Sequence, residues 1–148
     1  MNRNQVNRRE RRGRGDLNRF DYLTEHVIAA AIDVHRALGP GLLESTYEMC
    51  LCRELSIREL KFARQVPIPV SYKGVKLDWG YRADIVVEDC VLLEIKAMDS
   101  LLSVHEAQLL SYLKIGGWKI GLLINFNVEL LKNRIRRRVM NLAEKIDL

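Results

Sequence analysis

The stretch Val91-Leu92-Leu93-Glu94-Ile95-Lys96-Ala97 constrains this chain more than any other. The apolar run from Cys90 to Ala97 suits a strand buried on both faces, and such a strand needs a layer of structure on each side. Successive strand residues point to opposite faces. Val91, Leu93 and Ile95 therefore share one side, and Glu94 and Lys96 share the other. A carboxylate and an ammonium are costly in an apolar strand unless they are paired, hydrated or bound to a metal. A structural ion pair at a strand end is the plain alternative.

The periodicity on either side predicts the rest of the layout. Val27, Ala30, Ala31, Val34 and Leu38 recur at helical spacing over Leu23 to Leu38, and Gly39-Pro40-Gly41 stops that helix. A second helix is predicted from Leu43 to Glu59, with Tyr47, Leu51 and Leu55 on one face. Val66, Ile68, Val70 and Tyr72 alternate strictly, which predicts a strand over Arg64 to Tyr72. Pro67 and Pro69 point to an edge position for it. Lys73-Gly74 is a turn, and a second strand spans Val75 to Val87 with a bend near Gly80. Helical spacing returns from Ser103 to Ile115 and ends at Gly116-Gly117, after which Trp118 to Asn125 is another apolar strand. In the last segment, Val128, Leu131, Ile135, Val139, Leu142 and Ile146 fit a helix. Arg134 to Met140 fits an edge strand, and both readings stay open. The order α-α-β-β-β-α-β plus a C-terminal element is an α/β layout, a mixed central sheet flanked by helices.

A chain of 148 residues, 48% of them hydrophobic, suits one domain with one core. Residues 20–148 are read as that single domain. No stretch approaches the roughly 18–20 apolar residues of a membrane span. Met1 to Asp16 lacks the apolar centre of a signal peptide. The odd cysteine count (Cys50, Cys52, Cys90) points to a reducing compartment, and the expected location is cytoplasmic. Of the chain's 24 basic residues, seven arginines lie in Met1 to Arg19 against only Glu10 and Asp16. The body is neutral overall, so the basic balance belongs to an Arg-rich N-terminal tail, residues 1–19, predicted to be disordered. Such a tail attracts polyanions without reading sequence; a solubilising leader accounts for it equally well.

The strand before the central one supplies a second carboxylate. Gly80-Tyr81-Arg82-Ala83-Asp84-Ile85-Val86-Val87 places Asp84 just ahead of an apolar run. A hairpin through Glu88 and Asp89 joins it to the central strand, and the register decides whether the carboxylates meet. A two-residue loop would set Asp84 opposite Leu93. A three-residue loop through Cys90, or a bulge, sets Asp84 opposite Glu94, and that is the arrangement predicted. Two carboxylates held so close repel, and a divalent cation removes the conflict. Oxygen ligands with open positions suit Mg²⁺ or Mn²⁺ rather than Zn²⁺. His26, His35 and His105 show no zinc-ligand spacing.

Asp84 followed by Glu94-Ile95-Lys96 resembles the PD-(D/E)xK phosphodiesterase superfamily, whose fold is that of the restriction endonucleases. Upstream, Gly41-Leu42-Leu43-Glu44-Ser45-Thr46-Tyr47 is similar to the signature of the GxxExxY protein family within it. The resemblance runs from about Leu23 to Val139. It implies a metal-dependent nuclease that hydrolyses nucleic acid by metal-activated water, with Glu44, Asp84, Glu94 and the backbone carbonyl of Ile95 as ligands of Mg²⁺ or Mn²⁺. It implies catalytic roles for Asp84, Glu94, Lys96 and Gln108, with Lys96 assisting the attacking water. Gln108 and Tyr112 resemble a Gln-x-x-x-Tyr accessory element, in which the glutamine positions water or substrate and the tyrosine lines the groove. Tyr47, Arg134 and Arg137 complete the expected substrate-binding set, with DNA the favoured polymer. A module that keeps the fold and binds nucleic acid or a protein without turnover is the second reading. The small size leaves room for a homodimer or a protein partner.

Overall fold

The computed structural model describes residues 3–78 and 80–140. Two helices come first, α1 (Arg3–Leu38) and α2 (Glu44–Ile57). Five strands follow: β1 (Phe62–Pro67), β2 (Val70–Tyr72), β3 (Val75–Leu77), β4 (Arg82–Val87) and β5 (Val91–Lys96). The chain continues through α3 (Ser103–Gly116) and β6 (Ile120–Asn125), and after a short 3-10 turn at Leu131–Asn133 it ends its described part with β7 (Ile135–Val139). The five-stranded sheet has the order β1-β4-β5-β6-β7, with β2 and β3 forming a separate two-stranded hairpin. Among the described residues only the β5–β6 pair is parallel, and α3 is the crossover that joins it. This is the mixed α/β sheet expected from the periodicity.

The central strand has the two-sided burial that its sequence demands. Val91, Leu93 and Ile95 join a core shared with α1 and α2, which includes Val27, Val34, Tyr47 and Leu51. Leu92 joins a second core on the other face, with Leu109, Tyr112 and Leu113 of α3. On β6, Gly121 lets α3 sit close, since a Cβ there would lie 2.8 Å from the Leu109 side chain. No helix among the described residues is long and apolar enough to cross a membrane.

Two expectations are corrected, both in the strands that precede the central one. The long strand predicted over Arg64 to Tyr72 is broken at Pro67-Ile68-Pro69, where two residues cannot donate to a ladder. Its second half, β2, swings out and pairs with β3 across the Lys73-Gly74 turn, whose residues are both left-handed (φ 48° and 79°). The bend near Gly80 (φ 74°) likewise separates β3 from β4. Helix α1 runs through the arginine-rich segment from Arg3. Arg, Gln and Glu are good helix formers, and extending an existing helix avoids the cost of nucleation. Of the two readings left open for the last segment, the edge strand over Arg134 to Met140 is the one observed, as β7 (Ile135–Val139) against β6. The alternative helix through Leu142 and Ile146 lies partly outside the described residues.

Candidate active site

The site begins where two strands part. Asp84 and Glu94 stand opposite one another because the hairpin loop has three residues: Val87 pairs with Val91 and Ile85 with Leu93. Cys90 N–H closes the turn on the Val87 carbonyl, with Glu88 and Asp89 both left-handed. Beyond Ile85 and Leu93 the ladder stops, and side chains take over its hydrogen bonds. Ile95 N–H donates to Asp84 Oδ2 at 2.7 Å, and Asp84 N–H donates to Glu94 Oε1 at 3.3 Å. On its other side, the β1–β4 pairing skips Gln65 and Asp84, and Gln65 is left-handed at φ 51°. A non-glycine residue held in that region inside a strand stores strain, as functional sites often do. Asp84 thus sits in a local break of the sheet, with its carboxylate inserted between strands.

Helix α2 adds carboxylates from one side. Glu44 is its first residue, and Glu44 Oε1 accepts a hydrogen bond from Ala97 N–H at 3.3 Å. Glu48, one turn later, is buried and accepts from Gln65 Nε2 at 2.9 Å, with Arg64 Nε 3.6 Å away. Glu44, Glu48, Asp84, Gln65 and Ile95 line one hollow of about 570 Å³. Helix α3 serves the other side. Lys96 Nζ donates to Gln108 Oε1 at 3.4 Å, and Gln108 Nε2 donates to the Tyr112 hydroxyl at 3.0 Å. Among the described residues no ion pair joins Lys96 to Glu94, so the plain structural reading of that pair is not what forms.

Burial dominates the electrostatics. Glu94 is 4% exposed, and its carboxyl is pushed up to about 8, chiefly by desolvation and next by the Asp84 charge. The hydrogen bond from Asp84 N–H and the Lys96 charge act the other way and lose. The Asp84 carboxyl is also raised, first by desolvation, with Glu48 and Glu44 adding to it against the bond from Ile95 N–H and the Lys96 charge. Excess negative charge in a desolvated place is what a cation relieves. The donor set is all oxygen, which fits a hard divalent ion. Among the described residues, no three acidic, histidine or cysteine side chains are close enough together, as placed, to hold an ion directly. Asp84 and Glu44 each accept a backbone N–H instead, so ion binding requires side-chain rotation, or water between ion and carboxylate.

The remaining expected residues divide. Gln108 and Tyr112 are bonded to each other, and Gln108 also to Lys96. Tyr47 does not line a groove. It is fully buried, stacks on Phe126 with ring centroids 4.5 Å apart, and its hydroxyl donates to the Gly39 carbonyl at 2.5 Å. The same oxygen accepts from Leu42 N–H at 3.2 Å, so Tyr47 fixes the loop that delivers Glu44. An aromatic on the core-facing stripe of α2 is drawn inwards by its neighbours Leu51 and Leu55. Arg137 pairs with Asp21 on α1 at 3.0 Å and does not line the carboxylate hollow. Arg134 borders a separate depression with Asp99 and Asn127, while Arg136 and Arg138 both pair with Glu106. Glu48 is a site carboxylate that the sequence motifs do not single out; its i, i+4 spacing from Glu44 is the signal that puts it on the same helix face. Asn125 carried no such signal. Buried at the end of β6, it accepts from Met98 N–H at 3.1 Å and donates to the Met98 carbonyl at 2.8 Å, anchoring the chain just past Lys96.

A family model described as the PD-(D/E)XK nuclease superfamily matches residues 21–138. No curated protein and no solved structure matches the chain.

Proposed function

The chain belongs to the PD-(D/E)XK nuclease superfamily, and on that premise we propose that it is a metal-dependent phosphodiesterase that hydrolyses nucleic acid, with DNA favoured. Glu44, Asp84, Glu94 and the Ile95 carbonyl are the proposed holders of Mg²⁺ or Mn²⁺. Within the superfamily we assign it to the GxxExxY family, on Gly41, Glu44 and Tyr47. The observation that carries the reading is the strand fork, with Asp84 facing Glu94 and Lys96 tethered to Gln108 beside them.

When bound, the ion supplies Lewis acidity and offsets charge building on the phosphoryl group. The chain's own groups do the rest. Lys96 Nζ, steered by Gln108, presents its protons to the attacking water or to the developing oxyanion. Glu94, with its carboxyl at about 8, keeps a proton at neutral pH until positive charge arrives beside it. Gln108, bonded to both Lys96 and Tyr112, couples the lysine to α3 and so to the wall where a strand would lie. The test is cleavage of labelled single- and double-stranded DNA and RNA with Mg²⁺, Mn²⁺ or EDTA. Metal-dependent cutting that disappears in Asp84→Ala and Lys96→Ala is expected. A Lys96→Ala protein that cuts as fast as wild type sinks the assignment.

One observation favours a second reading, a binding module without turnover: Glu44 and Asp84 already serve backbone amides. Mg²⁺ or Mn²⁺ titration separates the two, since the module requires no ion affinity that depends on Asp84.

A further inference from the structure

On the α3 side of Lys96 lies a hollow of about 900 Å³, most of whose lining has no part in the proposed chemistry. Its walls include Ile68, Val70, Tyr81, Val104, Tyr112 and Ile115, together with Lys96 and Gln108 of the candidate site. Among the described residues, the only other ionisable base on the wall is His105. A groove built to follow duplex phosphates needs a row of cations, and this wall is apolar and aromatic. Its size falls within the range of pockets for small ligands, about 300–1,000 Å³. That is room for one or two flat rings and not for a duplex.

Tyr81 is the feature that selects the occupant. It sits where the chain re-enters the sheet after Gly80, and the residue is 46% exposed. The Tyr112 ring stands 6.1 Å away at 57°, centroid to centroid, so the two form a corner rather than a closed stack. Tyr112 is buried and accepts a hydrogen bond from Gln108, whereas Tyr81 is exposed. The β2–β3 hairpin forms the far wall through Val70 and carries exposed Tyr72, Lys73 and Lys76 outward, where they can meet a strand's phosphates.

We propose that this hollow seats an unpaired base of a nucleic-acid strand on Tyr81, so that the site acts on single-stranded or unpaired segments in preference to intact duplex. The inference rests on the nuclease reading for its purpose, not for its test. A base stacked on Tyr81 lies beside Tyr112 and Gln108, and the backbone that carries it is led towards Lys96. Stacking on an aromatic side chain tolerates any base, so this contact sets strandedness and not sequence.

The test is binding in EDTA, which needs no cleavage and no metal. The full chain is titrated into fluorescein-labelled single-stranded DNA, single-stranded RNA and blunt duplex DNA of equal length, and anisotropy is read. Wild type should prefer a single strand over duplex, with the DNA and RNA arms identifying which polymer. Tyr81→Ala should weaken single-strand binding by at least about fivefold and leave duplex binding unchanged. Tyr81→Phe, which keeps the ring, should bind like wild type and guards against a folding defect. Equal loss on duplex and single strand, no loss in Tyr81→Ala, or no strand binding by wild type each overturns the proposal. Because cleavage plays no part, failure here is distinct from failure of the metal-dependent chemistry, which Asp84→Ala and Lys96→Ala report.

Discussion

Replacing Glu94 by glutamine should make the protein more stable at alkaline pH while destroying its chemistry. The magnitude follows from the folded environment. The Glu94 carboxyl is raised from 4.5 to about 8, chiefly by desolvation and then by the Asp84 charge. Each pH unit between those values is worth 1.36 kcal/mol, so the whole interval is worth at most about 5 kcal/mol. The sign is fixed by which state holds the proton. Between about 4.5 and about 8 the folded protein keeps it and the unfolded chain has released it, so stability falls as pH rises. Above about 8 the folded protein carries the full cost of a buried, repelled carboxylate. Glutamine keeps the acceptor for Asp84 N–H and has no charge to bury. Urea unfolding of wild type and Glu94→Gln in EDTA should therefore give curves whose stability gap widens by roughly 1.4 kcal/mol per pH unit across that window. Taking the difference between the two proteins removes titrations common to both, that of Asp84 among them. A gap that is the same at pH 5 and pH 9 would refute the reasoning. Excess Mg²⁺ at pH 9 should narrow the gap, since a cation relieves the wild-type cost and offers the variant less.

Asp84→Asn removes the second-largest cause of the high Glu94 value, so side-chain carbon NMR should find Glu94 titrating below about 8 in that variant; an unmoved titration would mean that burial acts alone. Tyr47→Phe deletes the hydroxyl that holds Gly39 and Leu42 and should cost about 1–2 kcal/mol in chemical denaturation. Nucleic-acid affinity should be unchanged in the same variant, because the ring lines no groove. Asn125→Ala leaves the Met98 backbone unpartnered and should cost about 1–3 kcal/mol, with a fall in cleavage at saturating substrate as the chain after Lys96 loosens. Unchanged stability in Asn125→Ala would show that water replaces the amide.

Some of this protein could be read without coordinates. A strand apolar on both faces obliges a layered α/β fold, and helical spacing at Val27, Ala30, Ala31 and Val34 names the face of α1 that meets it. Both follow from local geometry, because side-chain direction is a function of period alone. The three-residue turn was a choice between two registers; the one that aligns Asp84 with Glu94 is the one observed. Glycines at the ends of α1 and α3 were equally legible, since left-handed φ needs no tertiary context to favour them.

Tertiary structure decided the rest. Whether Tyr47 faces a groove or the core depends on Phe126, nearly eighty residues away, and the helix face alone does not say. The break at Pro67-Ile68-Pro69 was visible as two prolines, but that β2 would leave the sheet and wall a hollow beside α3 depends on how the hairpin packs. Gln65 became part of the site only because β1 runs beside β4, and Asn125 only because β6 runs parallel to β5. Sequence by itself determined which residues carry charge, where the chain must turn and which faces are apolar, because these are properties of short windows. The partners of Asp84 and Lys96, and the burial that raises Glu94, were decided by tertiary structure, because desolvation and charge pairing are set by neighbours distant in the chain.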